Sequence, residues 1–175
     1  MVRLSLKDAK SVIKEYGGEG MRDSELTKRI ELICKEHEIG VEWIKSGDNC
    51  ANARQKKVWI KEIADSGDFA VALHEIGHVM RDPDNEPADH RQRLDAETNA
   101  WLWALEHNDN GFDVAGWRRL HNSLHQYYIA VKDTSHPSHK LLVRAEEQDH
   151  EIQPRVSSYA SGPLRFGGKK RKPKE

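Results

Sequence analysis

His74 and His78 stand four residues apart in the stretch Ala72-Leu73-His74-Glu75-Ile76-Gly77-His78-Val79-Met80. On a helix that spacing leaves them about 40° from eclipsed, so both imidazoles point the same way. Such a pair can grip one zinc ion, with Glu75 roughly 100° round the helix, beside the metal rather than on it. Hydrolysis by a metal-activated water needs that set: a Lewis acid to lower the pKa of the water and a base to take its proton.

The surrounding residues strengthen the motif. On a helical wheel Phe69, Ala72, Leu73, Ile76, Val79 and Met80 fill one broad apolar arc. His74, Glu75 and His78 are the only polar side chains between Phe69 and Met80. A helix apolar nearly all round is buried, and buried His and Glu need partners. Gly77 would let another backbone come close beside the histidines. The alternative is a core helix with two hydrogen-bonded histidines and a Glu at its solvent edge. Such a helix gains nothing from three polar groups placed together.

A hydrolytic zinc site usually takes a third protein ligand and leaves a position for water. Downstream candidates are Glu86, Asp89, His90, Asp95, Glu97, His107, His121 and His125. Asp95 and Glu97 fall in one helical run, Leu94 to His107, and a wheel separates them. Glu97 lies inside the apolar arc of Leu94, Ala100, Trp101, Ala104 and Leu105, whereas Asp95 faces the other way with Asn99 and Glu106. A carboxylate in an apolar stripe is costly unless it meets a cation or a donor. Glu97 is therefore the preferred third ligand, an ion pair to Arg91 or Arg93 being its structural alternative.

Together these residues carry a resemblance. His74-Glu75-Ile76-Gly77-His78, followed 19 positions after His78 by Glu97 in Asp95-Ala96-Glu97-Thr98-Asn99-Ala100-Trp101, resembles the gluzincin metallopeptidases, and among them the ImmA/IrrE-type proteins. The likeness covers about Ser24 to His107. It implies His74, His78 and Glu97 as zinc ligands and Glu75 as the general base. Thr98 and Trp101 depart from the usual Ala and Phe, and no carboxylate follows Glu97 one turn later to orient a histidine. The implied fold is α+β: a mostly helical minimal domain with a small β-sheet before the zinc helix.

The implied chemistry is peptide-bond hydrolysis. Glu75 takes the proton of the attacking water and passes it to the leaving amine, while zinc polarises the carbonyl. The resemblance also makes the strand before the zinc helix, Lys57 to Ile63, the edge that pairs with an extended polypeptide substrate. It further calls for a second oxyanion donor on the helix after Glu97, for which Arg118, His121, His125, Tyr127 and Tyr128 are all eligible. ImmA/IrrE-type proteins act on a cognate repressor, so a limited set of protein targets, a transcriptional repressor among them, is the expected substrate class. Two other functions stay open. One is a non-catalytic zinc protein whose site braces the fold or a partner interface. The other is a DNA-associated protease of SprT-like type, although that family uses a histidine as third ligand and a Cys-rich ribbon not found in this sequence.

The elements that must position this chemistry follow from the pattern along the chain. Leu4 to Tyr16 has helical character. Ser24 can cap a helix through about His37, stopped by Gly40. Val41 to Ile44 and Lys57 to Ile63 read as strands, with a turn at Ser46 to Asn49. Ser66 or Asp68 can open the zinc helix, which should run to about Arg81. Asp82 to Asp89 is a connector fixed by two prolines. Its alternating acids lack the Gly and Glu of a calcium loop. Asp113 caps a helix to about Lys132 with Trp117, Leu120, Leu124 and Tyr128 as its core stripe. His121 and His125 on it repeat the four-residue spacing but read as core or surface histidines, a second metal site or a reach to the first being the alternatives. A last helix is expected from His139 to Gln148.

With 175 residues the chain suits one domain, taken as residues 1–150, followed by a tail at 151–175. The tail holds seven Lys/Arg against two Glu, so its charge of +5 hides a body of −6 in a chain of net −1. Its Gly167 to Lys174 stretch reads as disordered and basic, able to dwell on nucleic acid or simply to remain solvated. Cys34 and Cys50 match no zinc-ribbon spacing and are too few for a disulfide scaffold. They fit a reducing cytosol. Residues 1–10 are too polar for a signal peptide, and no apolar run approaches membrane-spanning length, so a cytoplasmic protein without membrane contact is expected.

Overall fold

The computed structural model describes residues 19–81 and 87–149, with side chains from Glu25 onward. The expected helix at Leu4 to Tyr16, the acids of the connector up to Glu86 and the basic tail lie outside the described residues. Within them the order is α1 (Glu19–Glu36), β1 (Gly40–Ile44), β2 (Cys50–Asn52), β3 (Lys57–Lys61), α2 (Ser66–Arg81), α3 (His90–Glu106), α4 (Val114–Val131) and α5 (Pro137–Gln148). The architecture is α+β, mostly helical, with one small sheet ahead of α2. No helix among the described residues is long and apolar enough to cross a membrane.

α2 is the hub. Residues with almost no polar side chains can be surrounded on every side, and α2 packs on α1, β2, β3, α3 and α4. Phe69, Ala72, Leu73, Ile76 and Val79 are buried as the wheel requires. Its start is fixed by Asp65, one residue before the expected caps: the Asp65 carboxylate accepts from the Asp68 backbone N–H at 2.8 Å, and Asp68 reaches back to Ala64 N–H at 3.2 Å. Asp113 caps α4 as expected, accepting from Gly116 N–H, and its second oxygen accepts from the Ser66 hydroxyl. The same carboxylate thus ties the first turns of α2 and α4 together. Trp117, Leu120, Leu124 and Tyr128 of α4 are all buried.

The sheet has the order β1-β3-β2, with β1 parallel and β2 antiparallel to β3. β3 is bonded on both sides, so Lys57 to Ile63 is not the free edge that the sequence suggested. Val58 and Ile60 sit at its centre, fully buried beneath the helices, which suits a strand of alternating apolar residues. The edges are β1 and β2, and the one on the side of the cleft described below is β2, a three-residue strand just after the expected turn. Glu38, at φ 57°, ends α1 in left-handed backbone, where the sequence pointed to Gly40; Gly40 instead opens β1.

Candidate metal centre

α2 and α3 cross at Gly77. A Cβ there would lie 2.5 Å from the Ala100 carbonyl oxygen, so only a residue without a side chain permits this approach. The crossing brings Glu97, one turn before Ala100, onto the histidines of α2. His74 Nε2 and His78 Nε2 are 3.1 Å apart, and Glu97 Oε2 lies 3.3 Å from the first and 3.8 Å from the second. Glu97 pairs with no arginine among the described residues, and Arg91 binds Asp133 and Asp95 instead.

These distances suit a shared cation better than hydrogen bonds alone. Bonds of about 2.0–2.1 Å in a tetrahedron separate neighbouring donor atoms by about 3.3 Å. A hydrogen on one Nε2 can satisfy the imidazole–imidazole contact or a carboxylate contact. The other nitrogen then turns a lone pair towards Glu97, and two Nε2 hydrogens would face each other. A central ion satisfies all three edges. Among the described residues, His74, His78 and Glu97 are the one group of three whose ligand atoms converge in this way.

The electrostatics agree with that donor set. Burial pulls the His78 pKa down to about 4, His74 adding to the effect and Glu97 opposing it, so the imidazole is neutral at neutral pH. Burial would raise Glu97, but the hydrogen bond and charge of His74, helped by His78 and the Tyr127 hydroxyl, outweigh it and hold the carboxyl below its ordinary value. Neutral imidazole and ionised carboxylate are the forms that ligate. Glu75 differs. Burial, with Glu97 adding and His74 opposing, raises its carboxyl above the ordinary range, which makes it the stronger base of the two.

His74 Nδ1 is buried with no hydrogen-bond partner among the described residues. Its ring is held by stacking, with Trp101 lying 4.3 Å away at an interplanar angle of 25°. Trp101 is itself fully buried and lines the cleft beside the histidines. Trp103, buried and stacked on His107 at 3.8 Å, is core.

The three residues and Glu75 form part of the wall of a cleft of about 630 Å³. Residues 49–54, which include the edge strand β2, form another part, and Tyr127 and Ser123 of α4 close it. Of the five eligible oxyanion donors, Tyr127 alone lines this cleft, where its hydroxyl interacts with Glu97. Arg118 is engaged by Asp149 at 2.6 Å, and Tyr128 is fully buried with its hydroxyl 3.0 Å from His139 Nδ1. His121 and His125 stack on each other at 5.2 Å, with Glu146 3.6 Å from His121, away from the cleft.

Asp95, on the far side of α3, has a separate task. His136 Nε2 lies 2.7 Å from it, and His136 Nδ1 lies 2.7 Å from the Ser138 hydroxyl. The order Ser-His-Asp resembles a nucleophilic triad, but Ser138 is fully buried and His136 caps α5 by accepting from Ser138 N–H. It fastens α5 to α3. Searches among protein-family models, curated proteins and solved structures find no match to this chain.

Proposed function

We propose that this chain is a zinc-dependent metallopeptidase that hydrolyses peptide bonds in a limited set of protein targets. The observation that carries the proposal is the meeting of His74, His78 and Glu97 from two helices on the wall of an open cleft, with Glu75 beside them. Sites that only brace a fold are closed by four protein ligands. Three ligands on a cleft wall leave room for water and substrate, which favours catalysis over a purely structural ion.

Zinc held there would act as a Lewis acid, lowering the pKa of water and polarising the scissile carbonyl. Glu75 takes the proton of the attacking water; its raised pKa suits both that step and return of the proton to the leaving amine. Tyr127, which lines the cleft and interacts with Glu97, would donate its hydroxyl to the oxygen that gains charge. Among the described residues the outer edge of β2 is unpaired, and an extended chain could add to it, so polypeptide is the natural substrate. The motif His74-Glu75-Ile76-Gly77-His78 with Glu97 supports gluzincin chemistry of the ImmA/IrrE type, and with it a repressor as the first target to try.

The test compares zinc-loaded wild-type protein with Glu75→Gln on a mixed peptide library read by mass spectrometry. Glu75→Gln should keep one zinc per chain and lose cleavage by about 10²–10⁴-fold. Equal cleavage by both proteins, or none by either across library and whole-cell lysate, would sink the proposal.

A further inference from the structure

Most arginine side chains in the described residues have a partner. Arg29, Arg81, Arg91, Arg118 and Arg119 each meet a carboxylate, and Arg144 lies over the Trp117 ring at 5.0 Å. Arg54 and Arg93 have neither among the described residues, and both line the cleft. Arg93 stands one turn before Glu97 on α3 and acts on Tyr127 electrostatically. Arg54 follows β2 by two residues. Both are exposed, so their guanidinium groups are open to a ligand.

Charge makes the placement selective. Among the described residues, Glu75 and Glu97 are the only acids on the cleft wall, and both lie at its metal end. A doubly charged ion there would offset them and leave the two arginines in excess. This positive spot sits on a body, residues 1–150, whose formal charge is −6. An acidic segment is therefore drawn to the cleft rather than to the surface around it.

We propose that Arg54 and Arg93 make the cleft selective for extended polypeptide carrying Asp or Glu close to the bond to be cut, each arginine receiving one carboxylate. The inference rests on the peptidase function proposed above. Polypeptide is favoured over nucleic acid because β2 presents backbone groups that a strand can pair and a phosphate chain cannot. The apolar part of the cleft wall, with Ala51, Ala53, Val71 and Ala96, also suits side chains better than phosphates.

The test uses the full-length Glu75→Gln protein, zinc-loaded, and two fluorescein-labelled capped octapeptide pools. The pools differ only in Glu against Gln at two fixed positions. Fluorescence anisotropy at low ionic strength should show the Glu pool binding about four- to twenty-five-fold tighter, two- to fivefold for each exposed ion pair. Arg54→Gln and Arg93→Gln should each remove part of that preference, and the double variant all of it, with far-UV circular dichroism unchanged. Equal binding of the pools, or a preference that survives the double variant, overturns the inference. So does a single-stranded oligodeoxynucleotide that binds tighter than the Glu pool and is lost with the double variant. Failure of the peptidase proposal looks different: the Glu preference appears, yet wild-type protein cleaves neither pool. Cleavage of both pools at equal rates leaves that proposal standing and removes this one.

Discussion

Gly77 and Ala100 bring two helices together so closely that a methyl group on Gly77 would lie 2.5 Å from the Ala100 carbonyl oxygen. The contact lies one residue before His78 and three residues after Glu97, so it sets how closely these two candidate ligands approach. Gly77→Ala must push α3 away, because a backbone oxygen cannot rotate aside. We expect a loss of about 1–3 kcal/mol in stability, the scale of overpacking in a tight core. Zinc affinity should fall with it, since Glu97 moves out of reach. Urea unfolding and competition with a zinc-binding dye read both; unchanged zinc affinity would show that the crossing does not set the site.

Zinc bound as proposed should stabilise the fold, and through this site alone. The apo protein keeps two imidazoles and a carboxylate within 3.8 Å in a part-buried place, with at least one contact unfavourable. Zinc at a hundred times its Kd should stabilise the fold by about 2.7 kcal/mol. Glu97→Ala should weaken binding steeply, and His121→Ala should leave it unchanged. A reversal of those two results in calorimetric zinc titration would move the third ligand to α4.

Local periodicity exposes α2, because only a residue used for something else stays polar on a buried helix, and Glu97 stands out for the same reason. The stripe of Trp117, Leu120, Leu124 and Tyr128 is equally plain. β2 is hidden. Cys50-Ala51-Asn52 has three residues, none β-branched or aromatic, and becomes a strand only because β3 supplies the partner. Tyr127 and Tyr128 are neighbours, and a wheel places Tyr128 in the core. Choosing Tyr127 for the cleft needs the angle at which α4 meets α2. The tie from Asp95 to His136 spans 41 residues, beyond any local pattern.

Cys34 should make stability fall at alkaline pH. Burial, with Glu31 adding, raises its thiol from 9.0 to about 11. The unfolded chain releases this proton near pH 9, the folded chain only near 11. The contribution is therefore complete below pH 9 and is lost as pH rises through that window. Cys34→Ala should flatten this part of the curve in denaturant titrations from pH 8 to 11. A slope identical to wild type would mean that other groups carry it. At pH 8, iodoacetamide should label exposed Cys50 well before buried Cys34.

In the proposed hydrolysis Tyr127 would serve either by orienting Glu97 or by donating to the oxygen that gains charge, and the two roles separate in kinetics. Burial, followed by the nearby Glu97, raises its phenol pKa, so the hydroxyl keeps its proton at neutral pH and remains a donor. If it only orients Glu97, Tyr127→Phe weakens zinc binding by about 10–100-fold, and saturating zinc restores kcat. If it donates to the reacting oxygen, kcat at saturating zinc falls by about 10²–10³-fold while KM changes little. We expect the second result, because among the eligible donors of α4 only Tyr127 lines the cleft. A full return of kcat on adding zinc would reduce Tyr127 to a positioning residue, and the oxyanion donor would then have to come from the cleft's other hydrogen-bonding groups, such as Asn49, Asn52, Arg54, Arg93 or Ser123.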